Sequence, residues 1–176
     1  MIQRKGLLML AAIGSLLGAT PGVGDTAREF SLTRAQGGVR RLSEATSKGP
    51  VVLVVLRGFP GYQCPLCNRQ VQDFLRNAKG FGETRVIMVY PGAEVGLETK
   101  AKEFLSGKTF PENFELLLDA DYQFTKLYGL RWDKAGETAY PSTFIIDAKG
   151  VVTFAKVSRT HGDRTTAAEI IAALKK

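Results

Sequence analysis

The only two cysteines in the 176-residue chain frame the segment Cys64-Pro65-Leu66-Cys67. Thiols at this spacing can cycle between dithiol and disulfide. The apolar run Val51-Val52-Leu53-Val54-Val55-Leu56 lies just upstream, so the pair falls where a buried strand passes into a helix. Unpaired N–H groups and partial positive charge at a helix N-terminus stabilise a thiolate and lower its pKa. Cys64 reads as the N-cap, Pro65 as N1 and Cys67 as N3. An N-cap sulfur can accept from the N3 amide, and proline at N1 has no N–H to lose. This assigns Cys64 as an exposed, acidic nucleophile and Cys67 as the sheltered resolving thiol. Half of a zinc site is a competing reading, but tetrahedral zinc needs further ligands and His161 is the only other soft one. A purely structural disulfide is another, although so short a loop removes little chain entropy. Thiol chemistry here needs no metal and no organic cofactor.

The elements that must hold this pair follow from patterning. Two short strands are expected over 29–32 and 38–42, turning through Gln36-Gly37-Gly38. Val51–Leu56 is β-branched throughout, as in a central strand covered on both faces. A helix is expected from Cys64 to Lys79, with Cys67, Val71, Phe74, Leu75 and Ala78 on one stripe and Gly80 ending it. A second core strand runs from Thr84 to Tyr90 and stops at Pro91-Gly92. A helix over 96–105, a short strand at 116–118 and a short helix over 121–128 follow. Residues 143–147 and 151–157 are close enough to form an antiparallel hairpin. Thr166 and Glu169 make a capping box for a last helix. This order predicts an α/β fold: a mixed central sheet flanked by helices, with an N-terminal β-hairpin extension.

The first residues read differently. Arg4 and Lys5 precede an apolar stretch from Leu7 to Leu17, and small residues follow through Gly22. This is the layout of a signal peptide, and the apolar run is short for a membrane span. The expectation is a signal over 1–22, with an uncleaved anchor as the alternative, and one domain over 23–176. Export would place the thiols where disulfides persist, in the periplasm if the source is bacterial. Contact with a membrane is expected only if the segment is uncleaved. Loss of Arg4 and Lys5 lowers the net charge from +7 to +5, leaving 22 basic against 17 acidic residues. No basic stripe with interleaved aromatics is present, so nucleic acid is not an expected partner.

The Cys-Pro-Leu-Cys motif after a central strand, together with the late segment Tyr140-Pro141-Ser142-Thr143-Phe144-Ile145-Ile146-Asp147, resembles the thioredoxin superfamily. Leu56-Arg57-Gly58-Phe59-Pro60-Gly61-Tyr62-Gln63-Cys64-Pro65-Leu66-Cys67 narrows the resemblance to its peroxiredoxin-like AhpC/TSA (redoxin) branch, over residues from about 25 to the C-terminus. The resemblance implies that Pro141 is a cis-proline against the active-site disulfide, with backbone beside Tyr140 and Pro141 holding an extended substrate. It also implies that Trp132 comes near the cleft as an apolar wall. Two departures bear on activity. Peroxiredoxins carry a peroxide-activating arginine where this chain has Pro141. Their Pro-x-x-x-Thr/Ser-x-x-Cys pattern is replaced by Arg57 and Gly61. Arg57 would lower the pKa of a nearby Cys64 thiolate, or is a solvated loop arginine. His161, in the loop before the last helix, would shuttle a proton or is simply exposed.

The leading expectation is therefore an exported thiol–disulfide oxidoreductase that acts on protein disulfides or thiols through a mixed disulfide. The alternative is a thiol peroxidase of antioxidant type, acting on hydroperoxides with Cys64 peroxidatic and Cys67 resolving. Either Arg57 or Arg131 would then replace the absent arginine, and a thiol electron donor would complete turnover. A third reading is a non-catalytic binding domain with a structural disulfide.

Overall fold

The computed structural model describes residues 18–176, so the signal-like stretch falls largely outside the described residues. Seven strands form one sheet in the order β2-β1-β5-β4-β3-β6-β7. They are β1 (Ser31–Arg34), β2 (Val39–Arg41), β3 (Val51–Val55), β4 (Arg85–Gly92), β5 (Phe114–Ala120), β6 (Ser142–Ile146) and β7 (Val152–Val157). β3, β4 and β5 run parallel, and β6 and β7 add antiparallel strands beyond β3. The β1–β2 hairpin pairs antiparallel with the far edge at β5. The helices are α1 (Leu42–Thr46), α2 (Pro65–Arg76), α3 (Leu97–Leu105), α4 (Gln123–Leu127) and α5 (Ala167–Ala173). No helix among the described residues is long and apolar enough to cross a membrane.

β3 explains why the sheet is covered on both faces. Successive side chains of a strand point to opposite sides. Val52 and Val54 accordingly join Val71, Phe74 and Ile170 under α2 and α5, while Val51, Leu53 and Val55 join Leu42, Phe124 and Tyr128 under α1 and α4. All six residues from Val51 to Leu56 are fully buried, each contributing about 2 kcal/mol of hydrophobic stabilisation. Both cysteines belong to the first of these cores.

Three local expectations are corrected. β4 continues through Pro91 and Gly92, because Val55 opposite Val89 is its last pair with β3. The proline nitrogen faces the side where no partner strand remains, so its missing N–H leaves no ladder bond unmade. α2 ends at Arg76, with Asn77 as C-cap and a 3₁₀ turn over Ala78–Phe81, so Gly80 does not terminate it. Gly80 instead leaves room for Ile171 of α5, which a Cβ would strike. Tyr140–Pro141 is trans, since the described residues contain no cis peptide bond. Tyr140 donates its N–H to Leu130 and Pro141 accepts from Ser158, so the chain enters β6 extended.

Candidate active site

Cys64 caps α2 with an extended backbone, its sulfur accepting the Cys67 amide at 3.4 Å, and Pro65 opens the first turn. The approach to this cap is set by the loop of residues 57–63. Gly58 has φ +67°, and any Cβ there would drive into the Pro91 carbonyl, to which Phe59 donates at 3.0 Å. Gln63 is pinned between the Tyr90 hydroxyl (2.8 Å) and the Lys100 carbonyl (2.9 Å).

The two thiols are unbonded, and their environments push them apart. Cys64 is lowered to about 5 by a hydrogen bond from the Cys67 thiol, opposed by burial and aided by the Cys67 amide, the positive charge of Arg164 and the Leu66 amide. Burial pushes Cys67 well up, and its bond to Cys64 adds to this. The thiolate is thereby favoured on Cys64 and the protonated thiol on Cys67. The Cys67 amide reaches the Cys64 sulfur as the N-cap reading expects, but the expected exposure is not found: Cys64 is only 2% exposed. It belongs to the buried core with Val71, Phe74 and Val86, a signal not local to the motif.

Arg57 does not lie free beside the thiolate. The residue is 4% exposed and its guanidinium is committed elsewhere, with Nε donating to Glu137 at 2.8 Å, one nitrogen to the Gly136 carbonyl at 2.8 Å and one to the Tyr62 hydroxyl. Only its backbone N–H serves Cys67. Arg131 is likewise spent on the Trp132, Glu137 and Thr138 carbonyls and lies over the Tyr122 ring. The cation whose charge reaches both sulfurs is Arg164. Its Nε donates to the His161 carbonyl (2.8 Å) and Nη1 to Gln70 (3.0 Å), while Nη2 is buried without a partner. Gln70 is itself held by Thr165, and Thr165 shares a 2.7 Å hydroxyl contact with Thr143. Pro141 lines the same small gap as Gln70, Arg164 and Thr165.

Glu137 ties the remaining site residues together. Its carboxylate joins Arg57 to Nε2 of His161, at 2.9 Å. Burial works against that charge, but Arg57 and then His161 outweigh it and hold the pKa below the usual carboxylate value. Trp132 stacks on Tyr140 at 4.7 Å and lies 5.1 Å from the His161 ring, and Arg159 covers the other ring of that stack. Tyr140, Trp132, His161 and Arg57 thus form one connected wall. Arg164, Glu137 and Gln70 were missed by sequence reasoning. An arginine closing the loop before the last helix was the one signal that could have suggested the first. Among the described residues no group of three or more His, Cys, Asp or Glu could hold a metal ion.

This architecture matches known proteins. The model of the AhpC/TSA family covers residues 23–155. Curated relatives from two strains of Mycobacterium tuberculosis, described as peroxiredoxins, are 32% identical over 130 residues, spanning 70% of this chain and 77% of theirs. Among solved structures, the peroxidoxin BcpB of Mycobacterium tuberculosis is similar with a TM-score of 0.67 and 27% identity, covering 88% of this chain and 97% of that one. A peroxiredoxin-like protein from Aquifex aeolicus shares the fold, with a TM-score of 0.72, 19% identity and 90% coverage of each chain.

Proposed function

The chain belongs to the AhpC/TSA family and is a thiol-based oxidoreductase with a thioredoxin-like fold, and on that premise we propose that it reduces hydroperoxides. The carrying observation is the acidified, 2% exposed Cys64 beside an Arg164 guanidinium with one unpartnered buried nitrogen. Burial favours a small oxidant over a folded protein's disulfide. The relatives' descriptions as peroxiredoxins and a peroxidoxin support the same reading.

In this mechanism the Cys64 thiolate attacks one peroxide oxygen. The O–O bond breaks, and the departing oxygen takes a proton and leaves as alcohol or water. Arg164, whose charge reaches Cys64, would stabilise charge on the oxygens as that bond lengthens. Cys64 is then a sulfenic acid. Cys67 attacks that sulfur, a disulfide forms, and hydroxide leaves with the Cys67 proton as water. A thiol donor returns the pair to the dithiol by supplying two electrons. The second reading, exchange with protein disulfides, is favoured by the Cys-Pro-Leu-Cys pair itself and by Pro141 on the Arg164 gap.

The deciding experiment is the rate at which the reduced full chain loses thiols to hydrogen peroxide, with Cys64→Ser as control. A constant above about 10⁴ M⁻¹s⁻¹ is expected, the low end of ordinary enzyme efficiency. A free-thiol rate would leave disulfide exchange as the function. Export through residues 1–22 is part of the same proposal, supported by Arg4, Lys5 and the apolar run to Leu17. Cell fractionation of the full chain tests it, and a cytoplasmic location would overturn it.

A further inference from the structure

Gln70 lies one helical turn beyond Cys67 on α2, at the i+3 spacing that puts both on one face. It is 7% exposed and is the only amide among the buried residues of that helix. A buried amide is costly unless its polar atoms are bonded, and here both ends are. Oε1 accepts from Arg164 Nη1 at 3.0 Å, while Nε2 donates to the Thr165 carbonyl at 3.2 Å. Thr165 is in turn fixed to β6 by its 2.7 Å hydroxyl contact with Thr143. A guanidinium can only donate and a carbonyl can only accept, so the group between them must do the opposite at each end. An ionised glutamate could not serve the Thr165 carbonyl, and a lysine could not serve Arg164.

Charge narrows the choice further. Among the described residues Arg164 makes no ion pair. Its Nε donates to the His161 carbonyl at 2.8 Å, so both of its anchors are neutral. Asp73 brings a carboxylate to the same cleft, but its oxygens accept from the Ala167 amide at 2.7 Å and Asn77 at 3.1 Å. Asp163, adjacent in the loop, pairs with Lys156 at 3.1 Å. No bonded carboxylate therefore cancels the cation whose charge reaches both sulfurs. We propose that Gln70 is a positioning residue for the thiol chemistry: its neutral amide holds the Arg164 guanidinium in place beside the thiols without cancelling its charge. The inference rests on the part given to Arg164 in the peroxide step above.

The test titrates Cys64 in the reduced full chain by thiolate absorbance. Gln70→Met keeps the length of the side chain but removes both bonds. At about pH 5, the midpoint of the unaltered protein, the ionised fraction should fall about twofold as the arginine loses its hold. In the Arg164→Gln background the same substitution should change nothing further, since Gln70 acts through the arginine. Gln70→Glu keeps the shape and the bond to Arg164 but supplies the cancelling charge, so it should suppress ionisation more than Gln70→Met. An unmoved Cys64 midpoint in folded Gln70→Met overturns the proposal, as does an equal shift with and without the arginine. Should Gln70→Met not fold, Gln70→Glu decides: a raised midpoint supports the proposal and an unmoved one rules it out. No peroxide enters the titration, so a slow peroxide reaction of the unaltered chain would count against the peroxidase function alone.

Discussion

Glu137 and His161 meet at 2.9 Å across 24 residues of sequence, and the same carboxylate takes Arg57 Nε at 2.8 Å. Three loops are held by this one group: the approach to Cys64, the segment before Tyr140, and the loop that carries Arg164. The His161 carbonyl in turn fixes Arg164 Nε. Glu137 is therefore a positioning residue for the cation beside the thiols.

Replacing Glu137 by Gln should destabilise the fold by about 2–3 kcal/mol, because a nearly buried guanidinium loses its counter-charge. Urea unfolding measures this. The Cys64 titration should also move upwards as the Arg164 loop loosens, a change that a purely structural carboxylate would not produce. The Glu137 carboxyl is held below its ordinary value. Its contribution is thus present above the unfolded carboxylate pKa and fades as pH falls through the lower folded value.

Cys64 itself should titrate near 5 in the reduced protein, read as thiolate absorbance or as the pH profile of alkylation. Cys67→Ala removes the leading hydrogen bond and should raise that midpoint. Arg164→Gln should raise it by less, since the arginine ranks below the Cys67 contacts. An unchanged midpoint in both variants would refute the assignment of causes.

Glu115, 2% exposed on β5, receives Arg40 at 2.6 Å, Arg85 at 2.8 Å and Arg34 at 3.7 Å. Burial opposes its charge, yet the arginines, Arg40 foremost, keep its pKa below the ordinary value. Glu115→Gln should cost about 3 kcal/mol at neutral pH by leaving those cations without a partner. A depressed carboxyl stabilises above its unfolded pKa and ceases to do so as pH drops through the folded one. The gap in Tm between the two proteins should therefore narrow as the solution is acidified below about pH 4.

Gly58→Ala should destabilise by about 3 kcal/mol, combining a positive φ with a clash against backbone. Because residues 57–63 lead directly into the Cys64 cap, the surviving folded protein should also react more slowly with peroxide.

What the sequence made legible is local. The cap at Cys64, Pro65 at the first helical position, the buried run of β3 and the Thr166 cap each depend on neighbours within a turn or on simple alternation. The residues it concealed depend on long reach. Glu137 finds Arg57 across 80 positions and Arg164 finds Gln70 across 94, and nothing near either residue marks its partner. Arg57 misled for the same reason: proximity to the motif along the chain suggested a role that Glu137 pre-empts. The burial of Cys64 was hidden because the core it joins is assembled from residues far along the chain, such as Val86, Phe114 and Ile170.

Trp132 is the chain's single tryptophan, and it stands against Tyr140 and His161, one peptide carbonyl away from the arginine beside the thiols. Its indole therefore sits two contacts from the arginine whose charge reaches both sulfurs. A change in its emission on oxidation of the pair is the expected outcome, and it would let turnover be watched without a label.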